Sequence, residues 1–199
     1  MGGYSVRGRC PYLPLDSKSQ FFQLATMVTR KRVPLIGPHL AFITTTVRNW
    51  FPLFSNKQCA IIVLDQLQET LSFHKVSLVA YILMPSHIHL LLGFHNIEKM
   101  SPVIQNFKLR SAHRVKPLIP AEFSNQLHIG AKFRMWQPRF DDVIIYSQKQ
   151  FDTKIEYIHN NPVRAGLVQS AVDFEFSSSR DWLTGERGYL SVDKNWSWL

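Results

Sequence analysis

The stretch VSLVAYILMPSHIHLLLGF (residues 76–94) decides the fold, because it holds two β-rich runs with only Pro85 and Ser86 between them. Such a short connection favours antiparallel pairing, so residues 76–84 and 87–94 are predicted to form a β-hairpin. Side chains alternate between the two faces of a strand, and one face of the second run is wholly apolar. Four residues make up this predicted core face: Ile88, Leu90, Leu92 and Phe94.

The segments on either side of the hairpin complete the predicted fold. Residues 39–49 are β-branched and extended, and apolar residues recur at helical spacing through 56–73. Downstream, 98–115 has the pattern of an amphipathic helix with a basic C-terminal half, and 133–145 is extended and interrupted by a proline. The order β-α-β-β-α-β predicts a ferredoxin-like α+β fold, one antiparallel sheet with both helices on one face and the second hairpin strand central. One further helix is expected over 148–160.

Length and composition indicate a single domain with tails. The chain has 199 residues, of which 45% are hydrophobic, enough for one packed core but not for two large ones. Residues 1–33 combine glycines and prolines with basic residues and show no apolar period, so they are expected to form a basic N-terminal arm. We expect one domain over 34–183 and a C-terminal tail over 184–199.

The balance of charge indicates a polyanionic partner. Lys and Arg total 23 against 14 Asp and Glu, a formal net charge of +9, which attracts phosphates over a long range. No apolar run reaches the roughly 20 residues needed to cross a bilayer, and the N-terminus lacks the apolar segment of a signal peptide. Two cysteines, Cys10 and Cys59, cannot form a disulfide framework. The sequence therefore favours a cytoplasmic, nucleoid-associated, nucleic-acid-binding protein over a membrane or exported one.

Two histidines share the face of the second hairpin strand that lies opposite its core face. His87 and His89 are expected about 7 Å apart along the strand, from which both imidazoles can close on one metal ion. The alternative is a pair of histidines that are hydrogen-bonded on a half-wet sheet face. Their spacing alone leaves both interpretations open.

The predicted last helix carries a second group of candidate residues. Its buried stripe is expected to have three members: Phe151, Ile155 and Ile158. Tyr157 falls off this stripe, and Lys154 and Asn161 lie on its flank at spacings of three and four, so that a phenol, an ammonium and an amide could face one site. The alternatives are a tyrosine at the surface and an asparagine that caps the turn before Pro162.

Three ordered motifs resemble one known family, the single-tyrosine transposases with a His-hydrophobic-His motif, and most closely its REP-associated group. The motifs are LMPSHIHLLL (83–92), WQPRFDDVIIYS (136–147) and EYIHNNPVRAGLV (156–168), and the resemblance covers roughly residues 34–183. It implies a metal-dependent nuclease and strand transferase that acts on single-stranded DNA next to hairpins. The implied intermediate is a 5′-phosphotyrosine with a free 3′-hydroxyl.

The resemblance also implies roles for individual residues. By position in the motifs, His87 and His89 resemble the metal ligands and Tyr157 the nucleophile. Insertion-sequence members carry a glutamine four residues after the tyrosine as third ligand, whereas this chain has Asn161, similar to the REP-associated group. The implied cofactor is Mg²⁺ or Mn²⁺; nitrogen ligands favour Mn²⁺ and availability favours Mg²⁺. Lys154 is expected to reduce the cost of ionising the phenol.

Basic residues with aromatic neighbours are the candidate DNA surface. The predicted phosphate contacts are Arg30, Lys31, Arg32, Lys108, Arg110, Arg114, Arg134, Arg139 and Arg164. Trp136 is a candidate for stacking on an unpaired base, with packing at a sheet edge as its alternative.

Two other functions are compatible with these residues. A ferredoxin-like single-strand binder without catalysis, such as a domesticated relative, needs the basic surface but not Tyr157. A metal-dependent phosphodiesterase that uses water needs a general base, and no carboxylate obviously joins the histidine face. The sequence leaves open whether the chain forms a homodimer that exchanges its tyrosine helix.

Overall fold

The computed structural model describes residues 37–197, so the predicted arm over 1–33 and its cluster Arg30-Lys31-Arg32 lie outside the described residues. The main elements are β1 (His39–Thr46), α1 (Lys57–His74), β2 (Ser77–Met84), β3 (His87–Phe94), α2 (Met100–Val115), β4 (Asp141–Ile145), α3 (Gln148–Arg164) and α4 (Ser179–Leu183). None of the helices within the described range is long and apolar enough to cross a membrane.

The four strands form one antiparallel sheet in the order β2-β3-β1-β4. β3 pairs with β2 on one side and with β1 on the other, so it is an internal strand. The predicted hairpin and the central position of its second strand are confirmed. The last strand, Asp141–Ile145, is shorter than the predicted extended segment. Earlier in that segment, the pairing with this sheet is limited to a bridge between Trp136 and Val47, which includes a hydrogen bond from the Gln137 N–H to the Thr46 carbonyl.

Helices cover both faces of the sheet. α1 and α2 pack against the predicted core face, where all four apolar residues of β3 are buried. α3 packs against the opposite face, where Ile158 joins a smaller apolar cluster with Leu40 and Leu91. The other two residues of the predicted stripe, Phe151 and Ile155, are half-buried against the same cluster. The position of α3 is what puts its polar flank over the histidine face.

α3 is longer than the sequence predicts. It begins where Ser147 accepts a hydrogen bond from a backbone N–H of the first turn (3.3 Å), and it continues to Arg164 with Pro162 inside it. The Ala165 N–H donates to the Asn161 carbonyl (3.0 Å), so Asn161 is a helical residue and not the cap of a following turn. Pro162 removes one helical hydrogen bond, since it has no N–H, but it does not end the helix.

The C-terminal part of the chain covers the outer edge of β2. The backbone of Phe176 and Ser178 hydrogen-bonds to that of Leu83 and Tyr81 at 2.9 and 3.0 Å, and the Asp193 N–H donates to β2 at 2.7 Å. Residues on both sides of the predicted boundary between domain and tail therefore contact the sheet. Covering this edge removes a row of free N–H and C=O groups that could pair with another chain.

Candidate active site

His89 lies on the α3 side of the central strand, opposite Thr44 of β1. Its Nδ1 is 2.7 Å from the Thr44 hydroxyl oxygen, within hydrogen-bond distance. The residue is 5% exposed, and its Nε2 is buried with no hydrogen-bond partner among the residues that the structure describes. A buried polar atom without a partner costs about 1–3 kcal/mol, a cost that a ligand bound at this atom would remove.

His87 lies beside His89 at the start of β3. The ring centroids of the two imidazoles are 4.8 Å apart, so the structure brings them together as the spacing predicts. His87 is half-buried, and its Nδ1 is 3.3 Å from the hydroxyl of Ser86 in the hairpin turn. The half-wet sheet face that was the alternative does not describe His89, which α3 shields from solvent.

Tyr157, on α3, packs against the His89 imidazole. The centroid of its ring is 5.1 Å from that of His89 and 5.9 Å from that of Phe42, both edge to face. Phe42 in turn stacks on the His89 ring at 5.4 Å. Tyr157 is half-buried, so its ring is held by packing while the residue keeps some access to solvent.

Two cations lie at the tyrosine ring. The Lys154 ammonium is 4.4 Å from the centroid of the Phe42 ring and 5.8 Å from that of Tyr157. The Arg164 guanidinium is 5.4 Å from the Tyr157 centroid. Lys154 thus shares the flank of the tyrosine as predicted, and Arg164, predicted only as a phosphate contact, joins it. Asn161 is half-buried on the next turn of α3.

Burial keeps the charged forms of the basic site residues unfavourable. It lowers the pKa of His87 to about 4. The pKa of His89 lies well below its ordinary value, first because of burial and then because of the nearby His87 and Lys154. Burial also lowers the pKa of Lys154. Both imidazoles are therefore neutral at pH 7, the form in which histidine binds a metal ion.

The residues of the site fit a divalent cation. Two neutral imidazoles lie side by side, and one of them has an orphan buried nitrogen. Residues 37–197 contain no group of three or more His, Cys, Asp or Glu side chains that could hold a metal ion by themselves. Among the described residues, a further protein ligand would therefore be of another type, and the Asn161 amide one turn after Tyr157 is of that kind.

Two of the predicted DNA contacts, Lys108 and Arg114, make hydrogen bonds within the protein. The Lys108 ammonium donates to the carbonyls of residues 137–139 at 2.5, 3.2 and 3.3 Å. Arg114 pairs with Glu69 (2.8 Å) and hydrogen-bonds to Gln66 (3.2 Å), joining α2 to α1. Both lie on the helix layer opposite the paired imidazoles. Arg114 is nevertheless exposed, as are the other described basic candidates, and all of these DNA contacts stay predictions: Arg110, Arg114, Arg134, Arg139 and Arg164.

Trp136 does not have the exposure that base stacking requires. It is 5% exposed, its indole N–H donates to the Ser111 hydroxyl (3.0 Å), and it packs against Phe54 and Phe107. The stacking prediction is corrected accordingly, since a base could reach this ring only if the core opened.

Three residues at the site were missed from the sequence. Alternation along β1 puts Phe42 and Thr44 on one face, but only the register with β3 places Thr44 opposite His89. Trp50 follows β1, and its ring lies edge to face with that of His87 at 5.5 Å. An aromatic residue just after a strand was the only signal for it.

A family model and a curated relative match this part of the chain. Residues 33–161, which include both histidines and Tyr157, match a family described as "Transposase IS200 like". The chain is 26% identical over 117 residues to a curated Haemophilus influenzae protein whose name places it among the REP-associated tyrosine transposases. The match covers 56% of this chain and 63% of the relative, so the chain spans less than two thirds of that protein.

A solved structure has the same fold. It is described as a REP-associated tyrosine transposase bound to a REP hairpin, and it superimposes with a TM-score of 0.63. The superposition covers 85% of this chain and 94% of the other at 22% sequence identity. The ferredoxin-like sheet with its additional C-terminal helix is therefore the fold of a known transposase.

Proposed function

Because the chain belongs to the IS200-like transposase family, we propose that it cuts and rejoins single-stranded DNA beside hairpins, with Tyr157 as the nucleophile. The observation that carries the proposal is the contact of the Tyr157 ring with His89, whose imidazole lies beside that of His87. A phenol, two neutral imidazoles and two cations in one site suit the transfer of a phosphoryl group.

Hairpin DNA is the proposed substrate. The solved structure with this fold holds a REP hairpin, and the present chain covers nearly all of it. The formal net charge of +9 supports a polyanionic ligand. Exposed Arg164, at the end of α3 beside the Tyr157 ring, is a proposed phosphate contact at the site, and exposed Arg139, before β4, is proposed as a further one.

The proposed reaction conserves the energy of the broken bond. The Tyr157 oxygen attacks a backbone phosphorus, the bond from phosphorus to the 3′ oxygen breaks, and the phenolic proton balances the 3′-hydroxyl that is released. The strand then remains on the enzyme as a 5′-phosphotyrosine. In the second step another 3′-hydroxyl attacks, and the phenolate leaves and recovers a proton, so no external energy source is needed.

Lys154 and Arg164 are proposed to favour the phenolate. A phenol is almost fully protonated at neutral pH, and a nearby positive charge stabilises its anion. Both cations lie within 6 Å of the tyrosine ring centroid. Arg164 is exposed and can also meet the DNA backbone, whereas Lys154 is half-buried against Phe42.

His87 and His89 are proposed to hold a divalent cation, Mg²⁺ or Mn²⁺, with Asn161 as a further ligand. When bound, such an ion supplies Lewis-acid stabilisation of the charge that develops on the phosphate. The Thr44 hydroxyl fixes the orientation of the His89 ring, which leaves Nε2 for the ion.

A denaturing gel tests the nucleophile. Wild-type protein, a labelled single-stranded hairpin DNA and Mn²⁺ should give a covalent adduct, and Tyr157→Phe should give none while it still folds and binds DNA. Tyr146→Phe is the matched control, since this tyrosine lies just before α3 and is 62% exposed. Its adduct should equal that of the wild type.

Three outcomes of this gel would change the proposal. An adduct on Tyr146, or a strong adduct from the Tyr157→Phe protein, would move the nucleophile elsewhere. Cleavage without an adduct would favour the phosphodiesterase that uses water. DNA binding with neither cleavage nor adduct would favour the non-catalytic binder.

Alanine variants of the histidines test the metal site. His87→Ala and His89→Ala should each abolish cleavage but keep most of the affinity for single-stranded DNA, because the basic surface supplies most of that affinity. Calorimetry with Mn²⁺ should show binding to the wild type and none to the double variant. Equal metal binding by both proteins would remove these residues from the site.

A further inference from the structure

Trp50 is an exposed aromatic residue at the edge of the candidate active site. It is 42% exposed, in contrast to Trp136, which lies in the core. Its indole is 5.5 Å from the His87 ring with the planes at 69°. A large aromatic side chain that is partly open to solvent at the edge of a site can contact a ligand directly.

The backbone at Trp50 is strained. Trp50 and the preceding Asn49 have φ values of 57° and 56°, in the left-handed region. Bulky L-residues rarely adopt this conformation, and two in succession are less favourable still. Such strain persists only where the surrounding structure holds it, and it is concentrated at functional sites.

Hydrogen bonds hold this turn on both sides. Towards the hairpin turn, the Val47 N–H donates to the Ser86 carbonyl (2.8 Å), which fixes the turn beside His87. On the other side, the Arg48 N–H donates to the Met135 carbonyl (2.8 Å). The Asn49 side chain also donates to the carbonyl of residue 126 (3.0 Å). The indole is therefore presented to solvent by a turn that its neighbours fix in place.

We propose that Trp50 is a stacking platform for one unpaired base of the DNA strand that crosses the active site. The inference rests on the proposed single-stranded substrate, and it adds a base contact that the phosphate chemistry does not require. Indole faces stack on any of the four bases, so the contact favours unpaired over paired nucleotides without reading sequence.

The charge next to Trp50 fits a nucleotide better than an apolar partner. Arg48 lies two residues away and is half-buried, and its Nε is buried with no hydrogen-bond partner among the described residues. The described part of the chain offers it no ion pair either. A base on the indole would bring its phosphate towards the Arg48 cation, whereas an apolar peptide would supply no negative charge there.

Binding of two defined probes tests the platform. One probe is a ten-nucleotide oligothymidylate, and the other is a deoxyribose-phosphate chain of equal length without bases. Wild-type protein should prefer the first, and Trp50→Ala should reduce this preference by roughly 5- to 150-fold, the effect of removing one stacked base. Trp50→Phe should retain most of the preference. The salt dependence of binding should stay unchanged, because no phosphate contact is lost.

Two further variants separate stacking from a structural role. Phe73→Ala, at a 79% exposed position near the end of α1, is the matched control and should keep the wild-type preference. Trp50→Gly relieves the left-handed strain, so it should unfold at the same or a higher temperature than the wild type and still lose the preference.

The outcomes distinguish this inference from the proposed function. An unchanged preference in Trp50→Ala overturns the platform even if the wild type forms its covalent adduct. A preference lost in Trp50→Ala and kept in Trp50→Phe supports the platform, and it does so even if no adduct forms and the proposed chemistry fails. A wild-type protein that binds both probes equally also overturns it.

Discussion

The two faces of β3 differ in kind although they belong to the same eight residues. On the α1 and α2 side, every side chain is apolar and buried. On the α3 side, the strand begins with His87 and His89 before Leu91 returns to apolar packing. One strand, buried on both faces, thus stabilises the fold on one side and supplies polar chemistry on the other.

The α3 side of β3 makes the less favourable contribution to the free energy of folding. It holds His87 and His89, whose pKa values burial lowers, and the His89 Nε2, which has no partner among the described residues. α3, which packs on this face, adds His159, a third histidine whose pKa burial lowers. Each of these features opposes folding. Apolar burial between the sheet and helices α1 and α2 therefore stabilises the fold, and the buried histidines on the α3 side offset part of that stability. Exchanging residue types between neighbouring positions can test this difference.

The largest effect is expected from moving a histidine to the apolar face. Leu90→His buries an imidazole without a partner where Leu90 is fully buried, and should lower the free energy of unfolding by about 3–5 kcal/mol. His89→Leu, one position away, removes an orphan nitrogen and should change it by less than about 1 kcal/mol. Urea unfolding of both variants measures the difference. Equal losses would mean that the two faces do not differ.

The next largest effect is a dependence of folding stability on pH, which we expect from the buried histidines of β3 and α3. The pKa values of His87 and His159 are about 4 in the folded protein, against about 6.5 in an unfolded chain. As the pH falls from 6.5 to 4, the unfolded chain binds protons first, so stability falls by about 1.4 kcal/mol per pH unit for each such histidine.

Urea unfolding of the metal-free protein between pH 7 and 4.5 measures this slope. The His89→Leu variant should show a shallower decline, since it lacks one of the three histidines whose pKa is lowered. Carboxylates also titrate near the lower end of this range, but they do so in both proteins. Identical slopes would show that His89 makes no contribution.

A smaller effect is expected at Thr44, on the α3 face of β1. Thr44→Val removes the hydroxyl beside His89 Nδ1 but keeps the shape of the side chain. Mn²⁺ affinity should fall about 10- to 100-fold, as is common when the partner of a metal-binding histidine is lost. Calorimetry measures the affinity, and nitrogen NMR should show a change of the His89 tautomer. An unchanged tautomer would exclude this positioning role.

The smallest effect is expected one residue later, at Thr45. By alternation this residue faces the α1 and α2 side, and its hydroxyl is buried without a partner in the described part of the chain. Thr45→Val should therefore raise the free energy of unfolding by about 1 kcal/mol and leave Mn²⁺ affinity unchanged. A loss of stability would indicate that the Thr45 hydroxyl has a partner, such as a buried water.

Local patterns were enough for the hairpin and for the division of β3 into two faces. The two-residue alternation of β3 and the Pro85-Ser86 turn are encoded within a few residues, so the hairpin and its buried side chains follow from the sequence. The sequence also predicts that Lys154 and Tyr157 share one flank of α3, because residues three apart in a helix lie on the same side. The motifs around these residues were sufficient to identify the family.

Contacts between distant segments were decided only by the tertiary structure. Thr44 meets His89 because of a register across 45 residues, and α3 covers the histidines because its apolar stripe fits the remaining face of the sheet. Sequence patterns also did not predict which tryptophan is exposed. Trp136 is buried in the core, whereas Trp50 is exposed on a strained turn. Periodicity indicates which side chains share a face of a helix or strand. Whether those side chains are buried depends on the segment that packs against the face, and that segment lies far away in the sequence.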